Sequence, residues 1–301
     1  METDSFYSIG YSHSFCEDYT TSGVKGEYSY AIVSDGCSSS PHTDVGARIL
    51  TNVAKSFLCG RNYNPIMSQL LTSSSEAKGD VVWYGVTHFL KAFLTHLEDT
   101  SVKIVRDMGL PLECLDATIL FAIGSNEIAH VFLLGDGDLF FKDKNGRSLL
   151  IDVDYTSGAP FYPSYLFKNN VQRLHGYYDL FGDNEVVVSD DAGVRKAFTI
   201  NDVKKLYGDV GEAFSPKSYF CIKQPKLIVL MSDGIKSFTT TSEDGITIPV
   251  EYRDIASQFC DFKNYNGEFV QRRIKKIKRQ NALAGNIVHH DDISMSAIRF
   301  D

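Results

Sequence analysis

Segments in which apolar, β-branched and aromatic residues alternate or run together predict the β-strands of this chain. They cover residues 7–11, 28–34, 117–123, 130–134 with 139–142, 148–153, 185–188, 227–232 and 293–300. The sequence DKNG at 143–146 lies between two of them, and such a short turn favours antiparallel neighbours. The polar positions between segments therefore indicate hairpins rather than long crossovers.

A different spacing predicts the helices. Val45, Ile49, Val53 and Phe57 repeat every four residues after Asp44, which we predict as the N-cap, and Gly60 can end the helix. Further helices are predicted from Val82 to the region of 109–111, after a polar loop at 73–80, and over 250–262 and 267–283, whereas 156–180 is predicted as loop. Helices come in pairs and strands in blocks. This grouping favours an α+β sandwich over strict βαβ alternation.

Composition narrows the class of protein. The 301 residues, 43% hydrophobic, can form a sizeable core in one or two domains. A net charge of -8 argues against the positive face that nucleic-acid binding requires. Six scattered cysteines without a CxxC pair, and a start without a basic region followed by an apolar one, predict a reduced cytoplasmic protein. No apolar run reaches the roughly 20 residues that cross a bilayer, so no membrane partner is expected.

Acidic residues recur where predicted core strands end. The sequences VSDG, LMSDG and LLGDGD place Asp35, Asp233 and Asp136 at such exits, and two acidic pairs, Glu17–Asp18 and Asp291–Asp292, lie near other strand ends. Carboxylates brought together repel one another unless a cation neutralises them. Oxygen ligands without a thiolate or imidazole cluster suit Mg²⁺ or Mn²⁺ rather than Zn²⁺. The alternative for any single Asp-Gly is an ordinary β-turn.

In order, the motifs CEDY, VSDG, LLGDGD, LMSDG and DDIS resemble those of the protein phosphatase 2C family, the metal-dependent Ser/Thr phosphatases. The resemblance runs from about Gly10 to Arg299. The segments GYSHSFCEDY and SDGCSSSPHTDVGAR are similar to the bacterial branch of that family. The resemblance implies one catalytic domain over 1–301, with a four-layer αββα sandwich in which two antiparallel sheets are flanked by helix pairs.

The same resemblance implies a site for two Mn²⁺ or Mg²⁺ ions. Asp35 would bridge both ions, Glu17 and the Gly36 carbonyl would bind one, and Asp233 and Asp291 the other. Asp18 would order metal-bound water, and hydrolysis of a phosphomonoester would follow without a phosphoenzyme. The implied partners are a phosphorylated protein substrate and a cognate kinase system.

The sequence departs from the family pattern at three positions. Cys37 stands where many members have a general-acid His, so metal-bound water or His42 would protonate the leaving group. His13 lies where many relatives place a phosphate-binding Arg, and its imidazole could donate to phosphate. Ser237 replaces an acid common in relatives, which argues against a third ion on Asp136 and Asp233 and leaves Asp136 a supporting role through hydrogen bonds.

Two alternative functions stay open, and the departures at Cys37 and His13 favour the first of them. The chain could be a family member without activity that serves as a regulatory binding module, or the metal site could act on small phosphorylated molecules. The retained acids favour a Ser/Thr phosphatase.

Two further segments have open roles. The basic run RRIKKIKR, 272–279, fits a solvated helix face whose apolar residues Phe269, Ile274 and Ile277 contact the core, although it could dock an acidic or phosphorylated partner. The aromatic segment GAPFYPSYLF, 158–167, could pack over the cleft or over a partner.

Overall fold

The computed structural model describes residues 1–76, 80–181, 185–190, 195–199, 219–242, 244, 246–284 and 287–301. The helices in these ranges are α1 (Thr43–Cys59), α2 (Asn64–Glu76), α3 (Asp80–Asp107), α4 (Val171–Phe181), α5 (Tyr252–Cys260) and α6 (Phe269–Ala284). The strands are β1 (Glu2–Ser8), β2 (Tyr19–Lys25), β3 (Tyr28–Ser34), β4 (Ile119–Gly124), β5 (Ile128–Leu134), β6 (Gly137–Asp143), β7 (Ser148–Tyr155), β8 (Glu185–Asp190), β9 (Arg195–Thr199), β10 (Tyr219–Lys223), β11 (Pro225–Met231), β12 (Phe238–Thr241), β13 (Thr247–Pro249), β14 (Ile287–His289) and β15 (Ile293–Arg299).

The strands form two large antiparallel sheets and a small one. The seven-stranded sheet has the order β1-β15-β11-β6-β7-β8-β9, and the five-stranded sheet has the order β10-β5-β4-β3-β2. Strands β12, β13 and β14, which come between β11 and β15 in the sequence, form a separate three-stranded sheet with the order β13-β12-β14. The first and last strands, β1 and β15, pair along their whole length. The α+β class with antiparallel sheets and flanking helices is thus confirmed.

The central strands β3, β4, β5 and β11 are buried on both faces, which explains their nearly continuous apolar runs. Along β3, Ala31 and Val33 contact the core between the sheets, whereas Tyr30 and Ile32 contact the core under the helices. The residues of β11 divide in the same alternating way between the inner and outer cores. Side chains of a strand point to opposite faces in turn, so one run of sequence supplies two cores.

The helices cover the outer faces of the sheets. The outer core of the five-stranded sheet contains residues of α1, α2 and α3, including Phe57, Phe89 and Phe93. The outer core of the seven-stranded sheet contains residues of α5 and α6, including Phe259 and Ile274. Three helices therefore pack on one sheet where a helix pair was predicted.

Several predicted elements need correction. Residues 73–76 belong to α2 rather than to a loop, and 171–180 belong to α4. The sequence of α2, NPIMSQLLTSSSE, ends in serines typical of loops, and its buried Met67 and Leu70, with the partly buried Ile66, contact the core. The first strand covers 2–8 rather than 7–11, because its register is set by pairing with β15. Helix α1 begins at Thr43, with His42 rather than Asp44 as the N-cap.

The polar sequence SDDAGVRK, 189–196, predicts an exposed turn, and this segment lies partly outside the described residues, which omit 191–194. Among the residues that are described, no helix has the length and apolar composition that crossing a membrane requires.

Candidate active site

Strand register brings the predicted acids to one end of the sandwich. In the five-stranded sheet Tyr19 pairs with Ser34 and Ile119 with Leu134. The acids just outside these strand ends, Glu17, Asp18, Asp35 and Asp136, therefore lie at the same end of the sheet. In the other sheet Met231 pairs with both Asp138 and Met295, which brings Asp233 and the Asp291–Asp292 pair to a common edge. Convergence of these acids is therefore a consequence of pairing across many residues.

Asp35 lies at the centre of the group. Its backbone N–H is bonded to Thr118 Oγ1 at 3.0 Å and its carbonyl accepts from Thr118 N at 2.8 Å, which fixes the residue at the end of β3. The partly exposed carboxyl lies beside those of Asp18 and Asp233. Burial, followed by the negative charges of these two neighbours, raises the pKa of Asp35 well above its ordinary range.

Asp18 is the buried member of the group, with 1% of its surface exposed. Its Oδ2 accepts a hydrogen bond from Ser232 Oγ at 2.7 Å, whereas Oδ1 has no hydrogen-bond partner among the described residues. Burial raises the pKa of Asp18 to about 7, and hydrogen bonds from Asp35 and Ser232 oppose the shift. A buried carboxylate oxygen without a donor can accept a proton, a water or a cation.

Glu17 and His13 form the next group. Thr43 Oγ1 donates to the buried Glu17 Oε1 at 2.8 Å. His13 Nδ1 lies 3.8 Å from Glu17 Oε2 and 3.3 Å from Asp292 Oδ2, and its Nε2 lies 3.2 Å from Asp291 Oδ1. Both ring nitrogens of His13 thus face carboxylates. To donate to a phosphate, as predicted from its position in the motif, the ring would give up one of these contacts.

The two adjacent acids of the DDIS motif have different environments. Asp292 is buried and accepts from the backbone N–H groups of Gly10 at 2.8 Å and Glu17 at 2.6 Å, so it holds the GYSHSFCEDY segment in place. The side chain of Asp291 is 45% exposed, and its pKa is raised by burial of the rest of the group and by the charge of Asp233. Sequence reasoning treated Asp292 only as a neighbour of Asp291.

Glycine is required where the backbone of two acidic motifs passes close to other chain segments. A Cβ on Gly36 would lie 2.9 Å from Thr43 Cβ and 3.0 Å from the Glu17 carbonyl oxygen. A Cβ on Gly234 would lie 1.7 Å from the Asp292 carbonyl oxygen. The Asp-Gly sequences therefore bring separate motifs into contact in addition to turning the chain.

Asp136 lies beside a second acidic group. Burial and the charge of Asp233 raise the pKa of the Asp136 carboxyl, and the ammonium of Lys236 opposes the shift. Lys236 Nζ lies 2.6 Å from Asp152 Oδ1 and 3.9 Å from Asp154 Oδ2. Asp138 is fully buried, and burial raises the pKa of its carboxyl. The ammonium of Lys236 opposes this shift. Sequence reasoning missed Asp138, Asp152 and Lys236, because their meeting depends on the pairing of β6 with β7 and β11.

The residues at the departures from the family pattern have identifiable contacts. Ser237 Oγ accepts from the N–H groups of His290 at 3.1 Å and Asp291 at 3.0 Å and therefore anchors the DDIS loop. Cys37 Sγ lies 3.1 Å from Ser39 Oγ. His42 is exposed and has φ 61°, a conformation that costs most non-glycine residues free energy.

The aromatic segment, whose role the sequence left open, packs next to this loop. Tyr162 is 7% exposed and interacts with Cys37, Asp136 and Asp35, and burial is the main reason that its pKa is raised. Asp116, 1% exposed, connects the segment to the loop. It accepts from Ser40 Oγ at 2.9 Å, from Ser164 Oγ at 2.8 Å and from both terminal nitrogens of Arg173. The Asp116 carbonyl also accepts from Cys37 N at 2.9 Å.

The carboxylate oxygens of this site are ligands of the type that hard cations prefer. Within the described ranges, no three His, Cys, Asp or Glu side chains have the geometry of a preformed metal site. Asp18 Oδ1 nevertheless lacks a donor among the described residues, and the pKa values of Asp18 and Asp35 are raised, which is the expected state of clustered carboxylates without a compensating positive charge. Divalent cations that prefer oxygen ligands would relieve this repulsion.

Part of the chain matches the model of a known protein family. The family model for protein phosphatase 2C matches residues 8–157, which contain the first three acidic motifs. The chain belongs to the protein phosphatase 2C family. A comparison with curated protein sequences gave no significant match.

Solved structures extend the protein phosphatase 2C similarity to the fold of the whole chain. Serine/threonine phosphatase Stp1 from Staphylococcus aureus is 10% identical with a TM-score of 0.52, and the match covers 100% of this chain and 96% of that one. The phosphatase 2C of Toxoplasma gondii is 14% identical with a TM-score of 0.50, covering 99% and 94%. A variant of a bacterial serine phosphatase is 12% identical with a TM-score of 0.50, covering 100% and 98%. Relatives from bacteria and from a eukaryote share the fold, so the predicted bacterial branch stays a prediction.

Proposed function

We propose that this protein phosphatase 2C family member is a metal-dependent phosphoprotein phosphatase that hydrolyses phosphoserine and phosphothreonine. The observation that carries the proposal is the close approach of the partly exposed Asp35 carboxyl to the buried Asp18 and to Asp233, three carboxyls from three separate motifs. Such a group is costly for the folded protein without a positive charge, and a binding module has no use for it.

The residues that would hold two Mn²⁺ or Mg²⁺ ions are Asp35, Glu17, the Gly36 carbonyl, Asp233 and Asp291. When bound, the ions would make the attacking water nucleophilic and stabilise charge on the attacking and leaving oxygens. Direct displacement by water needs no phosphoenzyme. Asp136 interacts with Asp233, and Lys236 supplies a positive charge beside it, so a third ion is not part of the proposal.

The protein's own groups have distinct parts in this reaction. Asp18 Oδ1 orients the attacking water by accepting a hydrogen bond from it, while Ser232 holds the other oxygen of the carboxyl. Ser237 and Asp292 fix the loops that carry Asp291 and Glu17. His13, bound among three carboxylates, donates to the phosphate when one of these contacts opens.

We also propose that residues 1–301 act as one catalytic domain. The first and last strands pair in the same sheet, and Met1 N lies 2.9 Å from Asp301 Oδ2. The acids come from both sheets. If the two sheets were assigned to separate domains, the proposed metal ligands would be divided between them. Phosphorylated proteins, including targets of a cognate kinase, are the proposed substrates.

The test is hydrolysis of p-nitrophenyl phosphate and of phosphoserine and phosphothreonine peptides with Mn²⁺ or Mg²⁺. We expect turnover that a chelator abolishes and that Asp233→Ala removes, while Asp107→Ala, which removes an exposed acid at the end of α3, keeps it. Inactivity with intact Mn²⁺ binding would instead support the regulatory binding module that Cys37 allows. Turnover of small phosphorylated metabolites but not of phosphopeptides would change the substrate class.

A further inference from the structure

Helix α6 has an unusual distribution of charge. Its 16 residues, FVQRRIKKIKRQNALA, contain six cations and no acid, in a chain whose net charge is -8. Arg272 and Arg273 lie near the helix N-terminus, where positive charge is unfavourable for the helix dipole. Arg272 and Lys276, and likewise Lys275 and Arg279, are like charges four residues apart, which repel each other. A face needed only for solubility could carry acids at some of these positions.

Lys275 donates to Gln271 Oε1 at 2.5 Å, and the other five cations divide into two groups by their contacts. Arg273 is bonded to the Gln258 carbonyl and lies 3.5 Å from Asp261, and Lys278 donates to Ser8 Oγ at 2.6 Å, so both support packing of the helix. In contrast, Lys276 and Arg279 are exposed and have no hydrogen bond or ion pair with any part of the chain that the structure describes. Arg272 contacts only a neutral group, Asn264 Oδ1, at 2.8 Å.

These outward cations surround a pocket of about 500 Å³ between α6 and the segment that precedes it. The partly buried ring of Phe262, which packs edge to face against the buried Phe269 at 5.1 Å, contributes apolar surface, and Lys263, Arg272, Lys276 and Arg279 contribute positive charge. The volume lies within the range of about 300–1,000 Å³ that is typical of ligand pockets. A pocket with an apolar wall and a positive rim favours a ligand that is apolar at one point and acidic around it.

We propose that this basic pocket, formed by Phe262, Lys263, Phe269, Arg272, Lys276 and Arg279, docks an acidic protein segment that inserts one apolar or aromatic side chain. Charge complementarity identifies the occupant, since acidic residues would pair with the cations that lack partners while the inserted side chain contacts the ring of Phe262. Nucleic acid is less suited, because the net charge of the chain is -8. The docking surface is separate from the proposed metal ligands.

The test is a binding assay that needs no turnover, so its result is independent of the phosphatase proposal. The probe is a short fluorescent peptide of Asp and Glu residues with one central Phe, followed by anisotropy. The triple variant Arg272→Glu/Lys276→Glu/Arg279→Glu should bind at least about tenfold more weakly. Raising the ionic strength should weaken binding to the unchanged protein, since exposed charges are screened. Replacing the Phe of the peptide by Ala should weaken it by about tenfold.

The control variant is Lys91→Glu/Lys103→Glu/Arg106→Glu on α3, which makes the same change in net charge at exposed positions of another helix. It should bind the peptide as the unchanged protein does. If the α6 variant unfolds, Arg272→Gln/Lys276→Gln/Arg279→Gln provides the same comparison with a smaller charge change. The proposal is wrong if a folded α6 variant binds like the control, or if the pocket binds anionic vesicles or RNA but not the acidic peptide.

Discussion

Asp116 and Asp18 are each 1% exposed, yet their surroundings are opposite. Asp116 receives hydroxyl donors from Ser40 and Ser164 and a bidentate guanidinium from Arg173. Asp18 has one hydroxyl donor on Oδ2, none on Oδ1, and the carboxyl of Asp35 beside it. The comparison separates two uses of a buried acid: one is fully paired within the chain and fixes structure, while the other is available to a cation or water.

The largest expected effect tests the unpaired group. Asp35→Asn should lower metal-dependent turnover by at least about a thousandfold, the scale seen when a member of a catalytic unit is removed. The free energy of unfolding of the metal-free protein should stay the same or rise, because one of the repelling carboxyls is gone. Steady-state kinetics with saturating Mn²⁺ and urea unfolding with a chelator measure the two quantities.

Asp44→Asn is the matched control for that variant, since Asp44 lies in the first turn of α1, close in sequence to the Asp35 loop. It should keep most of the activity. Full turnover by Asp35→Asn at saturating Mn²⁺ would contradict the assignment of Asp35 as the central ligand.

The next effect tests the paired group. Arg173→Ala should lower the free energy of unfolding by about 3 kcal/mol, because it leaves the buried Asp116 carboxylate without its cation. Denaturant unfolding checks this value. Asp116→Asn/Arg173→Met, which removes both charges, should cost less than Arg173→Ala alone. Equal losses in the two variants would mean that lost packing rather than an unpaired charge destabilises the protein.

A pH titration distinguishes the unpaired acids from ordinary ones. The Asp18 carboxyl has a pKa of about 7 in the folded protein against 3.8 ordinarily, so the folded state holds a proton that the unfolded chain releases above about pH 4. The metal-free protein should therefore lose stability as pH rises from about 4 to about 7. The raised pKa of Asp35 acts in the same direction. Thermal unfolding over this range with a chelator measures the loss.

Two additions to the titration sharpen it. Asp18→Asn should flatten the pH dependence, and Mn²⁺ at pH 8 should restore stability to the unchanged protein, since the cation takes the place of the proton. A melting temperature that rises steadily across the range, with the same slope in Asp18→Asn, would rule out the unpaired state of Asp18.

The smallest expected effect is that of a single hydroxyl donor. Ser164→Ala should cost about 1 kcal/mol of unfolding free energy, because Asp116 keeps its other donors. Ser56→Ala, which removes a hydroxyl bonded to the Val53 carbonyl on α1, is a control outside the Asp116 group. If Ser164→Ala costs as much as Arg173→Ala, the guanidinium is not the main partner of Asp116.

Local patterns in the sequence determined much of the secondary structure. The predicted strand at 28–34 matches β3, and the predicted helices over 250–262 and 267–283 correspond to α5 and α6 within one or two residues at each end. These segments carry an uninterrupted apolar run or a clear helical period. Strand β2, YTTSGVK, was missed because its polar residues give no such pattern, and its pairing with β3 stabilises it.

The acidic motifs were also visible in the sequence, since each combines an acid with glycine or another acid at a strand end. Asp116 carried no comparable signal. Its side-chain partners lie 76 residues earlier in the chain, at Ser40, and 48 and 57 residues later, at Ser164 and Arg173. Nothing local distinguishes a paired acid from an unpaired one.

The sequence by itself thus determined the strands and helices with a clear apolar pattern and the acids that end several strands, because periodicity and turn chemistry act over a few residues. Only the tertiary structure decided which carboxyls are buried together and which receive a cation from the chain. That outcome depends on strand register and on the packing of segments far apart in sequence, where a shift of one residue would turn every side chain to the other face.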